Sequence, residues 1–337
     1  MSKSHPKRLA IAALKIIVPL AVVAWLLSRI PSEQWEVLRE REKNVPLLAL
    51  AFGFAMTALM NNFVRWYLLV RGLDLAFHLK DAVRLGFVGY FFNFISIGSV
   101  GGDLFKAVFI AREQPGRRVE AVATVVVDRA IGLYALLLVT TAATFFLRSE
   151  TMTPELTGLC RGVYIATGLG GLGIALLLLP GFTTSPFAEA LTRLPKLGTV
   201  FARLIGAVRM YRARPGLLVT VLVQSLGTHV LITASVYCLA NALYPQTATF
   251  IEHLVMVPLA MVAGALPFTP AGFGALELAM EKLYQIVPST PGPPGVIVAL
   301  AFRLVTIAMA AVGVVYYWTS RREIVEVVHD AEQLSGS

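Results

Sequence analysis

Apolar residues fall in long blocks along this chain, separated by short polar connections. Six blocks, 9–28, 45–70, 119–147, 159–180, 217–243 and 296–318, approach or exceed the roughly 20 residues that an α-helix needs to cross a ~30 Å hydrocarbon core. Two further segments, 82–111 and 252–287, are equally apolar but interrupted. Glycines break the first at Gly98–Asp103, and prolines and glycines break the second at Pro267–Glu277. Each interruption runs into a carboxylate, Asp103 or Glu277, and 26 residues beyond each carboxylate an arginine, Arg129 or Arg303, lies inside the next apolar block. Broken apolar segments at corresponding places in two halves are the pattern of carriers that bind cargo near the membrane midplane.

The charges between the blocks set an orientation. Lys3, Lys7 and Arg8 precede the first block, which is longer than a signal peptide's apolar region and has no small-residue cleavage site after it, so it reads as a retained span. Arg71, Lys80 and Arg84 flank the first broken segment on one side and Arg112, Arg117 and Arg118 on the other. Both flanks are therefore cytoplasmic, and the segment enters and returns on one side. Loop 181–216 is also basic, whereas 148–158 carries only Arg148. The flanks of the second broken segment, 244–251 and 288–295, carry no Lys or Arg, so that hairpin opens to the outside. Arg321 and Arg322 return the C-terminus to the cytoplasm. The expected fold is an all-α polytopic membrane protein: about six full transmembrane helices plus two opposed re-entrant hairpins. Residues 1–320 form one membrane domain and 321–337 a short cytoplasmic tail.

The halves 45–147 and 217–318 align at a constant offset of 174 residues, pairing Gly98 with Gly272, Asp103 with Glu277 and Arg129 with Arg303. Their spans run in opposite directions, which makes an inverted repeat. Gly98, Gly101 and Gly102 in one hairpin, and Pro267, Pro270, Gly272 and Gly274 in the other, are expected to turn the backbone and act as hinges. A new helix starting near Ala271 would aim its N–H groups at the cavity, with Glu277 one to two turns inside it. Two roles stand open for Asp103–Arg129 and Glu277–Arg303, or crossed pairs of them. They are buried ion pairs joining hairpins to helices, or they line a translocation path in which arginines hold a phosphate and acids meet a cation or proton. In the second reading Glu277→Gln abolishes transport in a folded protein. Lys106 belongs to the same cluster, and Asp128 points about 100° from Arg129 toward another neighbour. Arg65, below Asn61 and Asn62, either snorkels to the interface or touches cargo.

Composition narrows the class. With 57% apolar and 15% charged residues, the chain is far from the roughly 25% charged content of a soluble domain. Its net charge of +9 sits in loops and reads as topology, with no nucleic acid as partner. Cys160 and Cys238 are packing residues, and the five histidines form no metal constellation. Gly168, Gly170, Gly171 and Gly173 permit close helix packing in the span 159–180. Residues 196–211 have the pattern of a basic interfacial helix. No metal, cofactor, catalytic residue or ATP-binding motif is expected.

The run Asn61-Asn62-Phe63-Val64-Arg65-Trp66, the Gly101-Gly102-Asp103 triplet, Asp128-Arg129 with Gly132, and Pro267-x-x-Pro270-x-Gly272-x-Gly274-x-x-Glu277 together resemble the transmembrane region of lysylphosphatidylglycerol synthases. The resemblance covers about residues 9–318. It implies a flippase-like protein of the cell inner membrane moving a phospholipid or lipid-linked headgroup, and the basic tails at Lys3–Arg8 and Arg321–Arg322 put both termini in the cytoplasm. Bifunctional members add a soluble domain that transfers lysine to phosphatidylglycerol; the short tail here implies translocation without synthesis. The chain has Phe273 between Gly272 and Gly274, where the family often has Gly-Gly, which bears on the hairpin tip. Membrane lipids are the expected partners. The alternative is a non-transporting partner of a separately encoded lipid-modifying enzyme, a glycosyl- or aminoacyltransferase.

Overall fold

The structure, a computed structural model, describes residues 5–95, 101–147, 153–179, 181, 185–194, 198–265, 272–287 and 292–319. Thirteen helices and no strand occur among them. In order they are α1 (His5–Ser28), α2 (Ser32–Glu40), α3 (Val45–Arg71), α4 (Leu79–Ile95), α5 (Gly101–Glu113), α6 (Arg118–Thr144), α7 (Pro154–Leu178), α8 (Pro186–Thr192), α9 (Gly198–Arg212), α10 (Pro215–Leu243), α11 (Phe250–Ala265), α12 (Ala275–Ile286) and α13 (Gly295–Thr319). Five of these, α3, α6, α7, α10 and α13, are long and apolar enough to span a membrane, and α1 adds an apolar stretch over Ile17–Ser28.

Local chemistry starts these helices where they start. Asn44 and Thr153 accept the backbone N–H three residues on, Leu47 and Leu156, and a proline follows each cap. Pro215 opens α10 without a side-chain cap. A side-chain acceptor satisfies one orphan N–H of the first turn, and proline there forfeits no helical bond.

Both interrupted segments double back. On the first, Asn93 accepts from the Gly102 N–H at 2.9 Å, the rings of Phe92 and Phe105 lie 5.0 Å apart, and the Arg84 guanidinium covers Phe109. Residue numbers fall along α4 as they rise along α5, so the two helices are antiparallel. The ends of this hairpin also meet: Gln114 donates to the Ala76 carbonyl and Arg117 to that of Leu73. On the second, Gly264 lies against Leu276 near the tip, and the Tyr284 hydroxyl reaches His253 Nε2 at 2.7 Å lower down. Its ends meet where Tyr244 packs with Val296 and Ile297.

The hairpins open at opposite faces because α3 and α10 are antiparallel. Ala51 packs with Cys238, Asn61 donates to the Gln224 carbonyl and Thr228, and Arg65 donates to Ser225, while at the end of α9 just before α10 the Tyr211 hydroxyl donates to the Leu69 carbonyl. Each hairpin begins at the C-terminal end of its preceding long helix, so the two begin at opposite ends. The packing follows the inverted repeat: α4 lies on α13 as α11 lies on α6, and α3 meets α6 as α10 meets α13. The repeat is imperfect, since α6 lies broadly on α10 while α13 has little contact with α3.

The mixed-charge stretch 29–44 contains the short helix α2, whose Trp35 and Leu38 pack toward Leu26 and Ile297. The expected interfacial helix is α9. It is more than a surface anchor, because Tyr211 is buried and ties it to α3. Helix α7 is mostly exposed, as a helix at the lipid boundary is; Gly170 and Gly171 in it make room for Tyr134, while Gly168 and Gly173 face open space. Cys160 and Cys238 are buried and unpaired with each other.

Candidate functional site

Three carboxylate–arginine pairs sit within this frame. Asp103, in the first turn of α5, pairs with Arg129 of α6, whose Nη2 donates to Oδ1 at 2.6 Å while Nε faces Oδ2 at 2.5 Å. Glu277, in the first turn of α12, accepts from Arg303 Nε of α13 at 2.9 Å. Asp128 of α6 binds Arg65 of α3 in a two-point fork, Nε to Oδ1 at 2.7 Å and Nη2 to Oδ2 at 3.1 Å. The hairpin pairs are formed within each half and are not crossed.

The repeat-related pairs differ in exposure. The Arg129 side chain is 56% exposed, whereas those of Arg303 and Glu277 are 9% and 0% exposed. Glu277 also accepts the Gly274 N–H at 2.7 Å and so caps its own helix. The expected geometry is corrected here. Helix α12 begins at Ala275, Glu277 lies in its first turn, and the positive helix end is occupied by this carboxylate instead of being left for a ligand. Phe273 covers the Arg303 guanidinium with its ring at 5.5 Å. Gly274 abuts Pro19 of α1. The second pair is a closed clasp.

The turn residues divide. Gly272 and Gly274 have φ of +67° and +86°, a region that favours glycine. Gly272 also presses on the Gly264 carbonyl, where a Cβ would overlap. Gly101 and Gly102 are helical instead of forming a turn. Gly102 is required by close approach, since a Cβ there would strike the Gly89 backbone and Asn93. Gly98, Pro267 and Pro270 lie outside the described residues.

Arg65 does not snorkel. It is buried, and beyond Asp128 its Nη1 donates to Ser225 Oγ at 2.8 Å. Gly132 leaves space beside the guanidinium, and its carbonyl accepts from His229 Nε2 at 3.0 Å. Asn61, Arg65, Asp128, Ser225, Thr228 and His229 thus form one polar seam binding α3, α6 and α10. The sequence held a signal for its α10 side: Ser225, Thr228 and His229 recur at helical spacing on one face of an apolar span. Lys106 rests on the rings of Phe63 and Trp66, with its ammonium 5.7 and 5.2 Å from their centroids. A pocket of about 450 Å³ between α8 and α9 is lined by Ser185, Ala188, Glu189, Thr192, Ile205 and Arg209 and contains none of these pairs. No group of three or more metal-ligating side chains occurs among the described residues.

The profile of the family described as "Lysylphosphatidylglycerol synthase TM region" matches residues 11–313. The chain belongs to this family. The matched region contains every residue of the three pairs and both hairpins, and membership supports a role connected with membrane lipids. No curated protein matches the chain significantly.

Proposed function

We propose that the protein is a flippase-like transporter, moving a phospholipid or lipid-linked headgroup across the cell inner membrane. The observation that carries this reading is the duplicated half-site: two opposed hairpins, each presenting a carboxylate to an arginine of the next span, in halves whose packing is related by inversion. Such a repeat can present one site alternately to two faces. The headgroup would travel along the polar hairpins while acyl chains stay in lipid. Loop charge supports cytoplasmic N- and C-termini. With no cofactor or catalytic group in the reading, cargo moves chemically unchanged.

The closed Glu277–Arg303 clasp and the buried Arg65–Asp128 fork favour a second reading, in which the domain is a non-transporting partner of a separately encoded lipid-modifying enzyme. One assay separates them. Purified protein in liposomes is tested with chemically trappable lipids, wild type beside Arg129→Gln at matched insertion. The exposed pair is mutated because the buried one also supports the fold. Translocation above that of protein-free liposomes, reduced about tenfold by the substitution, supports a transporter. Equal rates with and without wild-type protein for every lipid refute it and favour the partner role.

A further inference from the structure

The two half-sites differ in charge. Around Lys106 stand four charges within electrostatic reach, the cations Arg65 and Arg129 and the carboxylates Asp103 and Asp128, while Lys80, Asp81, Arg84, Arg112 and Glu113 lie toward the open end of the hairpin. Asp128 engages Arg65 and Asp103 engages Arg129. Lys106 has no hydrogen bond or ion pair among the described residues; its partners are the faces of Phe63 and Trp66. Aromatic faces attract a cation but leave its charge uncancelled. At the repeat offset, Arg65, Lys106 and Asp128 correspond to Leu239, Met280 and Phe302. At these corresponding positions the second half-site therefore holds one balanced pair, and the first holds one surplus positive charge.

The geometry keeps that charge beside the open pair. Lys106 follows Asp103 by three residues, which places both on one face of α5. Its stem lies against Gly89 of α4, where a Cβ would stand 3.1 Å from Cε. Arg129 grips Asp103 with its Nε–Nη2 edge while its side chain stays 56% exposed. A surplus charge at membrane depth is costly until a counter-charge arrives.

We propose that this surplus selects the cargo: the first hairpin takes a headgroup of net negative charge, a phosphate mono- or diester not offset by ammonium groups, contacted by Lys106 and Arg129. The proposal rests on the transporter reading above. A zwitterionic headgroup would leave the site positive, and a lysylated phosphodiester, with two ammonium groups to one phosphate, would add to the surplus.

The test is initial translocation rate in phosphatidylcholine liposomes for phosphatidylglycerol, a polyprenyl phosphate, phosphatidylethanolamine and lysylphosphatidylglycerol, each as a trappable analogue. Wild type, Lys106→Met and Lys106→Arg are compared after equal insertion and equal melting temperature are established. The expected result is that one or both anionic lipids move at least tenfold faster than the zwitterionic and lysylated ones. Lys106→Met loses that preference, and Lys106→Arg keeps it. Which anionic lipid moves separates a glycerophospholipid from a polyprenyl source. Movement of lysylated lipid as fast as anionic lipid, or an unchanged preference in Lys106→Met, overturns the inference and leaves the transporter standing. Movement of no lipid by wild type overturns the transporter reading and the inference with it.

Discussion

Glu277→Gln and Asp103→Asn remove one negative charge at positions that the repeat makes equivalent, yet their costs to stability should differ severalfold. Glu277 is fully buried, serves Arg303 through one oxygen and the Gly274 N–H through the other. An amide keeps one acceptor for two donors' worth of demand and strands a guanidinium beneath Phe273. Removing one partner of a buried ion pair costs about 3–5 kcal/mol. Arg129, by contrast, is more than half exposed; on the transporter reading it faces the aqueous path and is solvated when its partner is neutralised, so the exposed-pair range of about 0.2–1 kcal/mol applies to Asp103→Asn. For a chain of 337 residues, at roughly 2 °C per kcal/mol, Glu277→Gln should melt about 6–10 °C below wild type and Asp103→Asn within about 2 °C of it. Scanning fluorimetry in one detergent reads both. Adding Arg303→Met to Glu277→Gln removes the stranded charge and should recover most of the loss. Equal melting of the two single variants, or no recovery in the double one, would refute the clasp.

Glycine substitutions separate turn from packing. Gly272→Ala, at φ +67° and against the Gly264 carbonyl, should destabilise by more than about 2 kcal/mol, whereas Gly53→Ala, with open space around its helix position, should be neutral or gain up to about 1 kcal/mol; melting temperatures check both. Opposed hairpins predict that cysteines placed at Asp74 and Gln246, in a background lacking Cys160 and Cys238, react with an impermeant maleimide from opposite faces of oriented vesicles; labelling from one face would refute the topology. In the loop after α3, a hydrogen bond from Arg214 holds the Asp74 carboxyl below its ordinary range. Because the folded pKa is depressed, the pair's small contribution is present above the unfolded value near ~3.9 and is lost as pH falls through the folded one. Asp74→Asn, which still tolerates the local φ of +57°, should melt slightly below wild type by a constant amount between about pH 6 and 8, with the difference closing as pH falls through the folded pKa.

Much of the architecture was legible because a bilayer imposes simple rules. Block length located the spans, loop charge pointed to a doubling back of each broken segment, and the constant offset paired Asp103–Arg129 with Glu277–Arg303. Gly272 and Gly274 were readable as turn residues because few other residues adopt positive φ. Gly101 and Gly102 misled, since a glycine needed for close helix approach looks the same in sequence as one needed for a turn. The Arg65–Asp128 fork was hidden because its two residues stand 63 positions apart, and each alone fits an interfacial or a cavity residue equally well. Phe273 was visible as a departure at the hairpin tip, but its ring over Arg303 was not.

By itself, the sequence determined that this is a helical membrane protein with two interrupted spans, a basic set of loops and an acid–arginine pair in each half. Those features follow from hydropathy, charge and spacing, which act locally. Only the tertiary structure decided that the second pair is sealed and the first is open, and that, among the described residues, Lys106 meets only aromatic faces once Arg65 has paired with Asp128 and Arg129 with Asp103. Exposure and charge balance depend on which side chains from distant helices arrive at the same place. The inverted repeat makes the two half-sites alike in pattern, and their different surroundings make them unlike in chemistry.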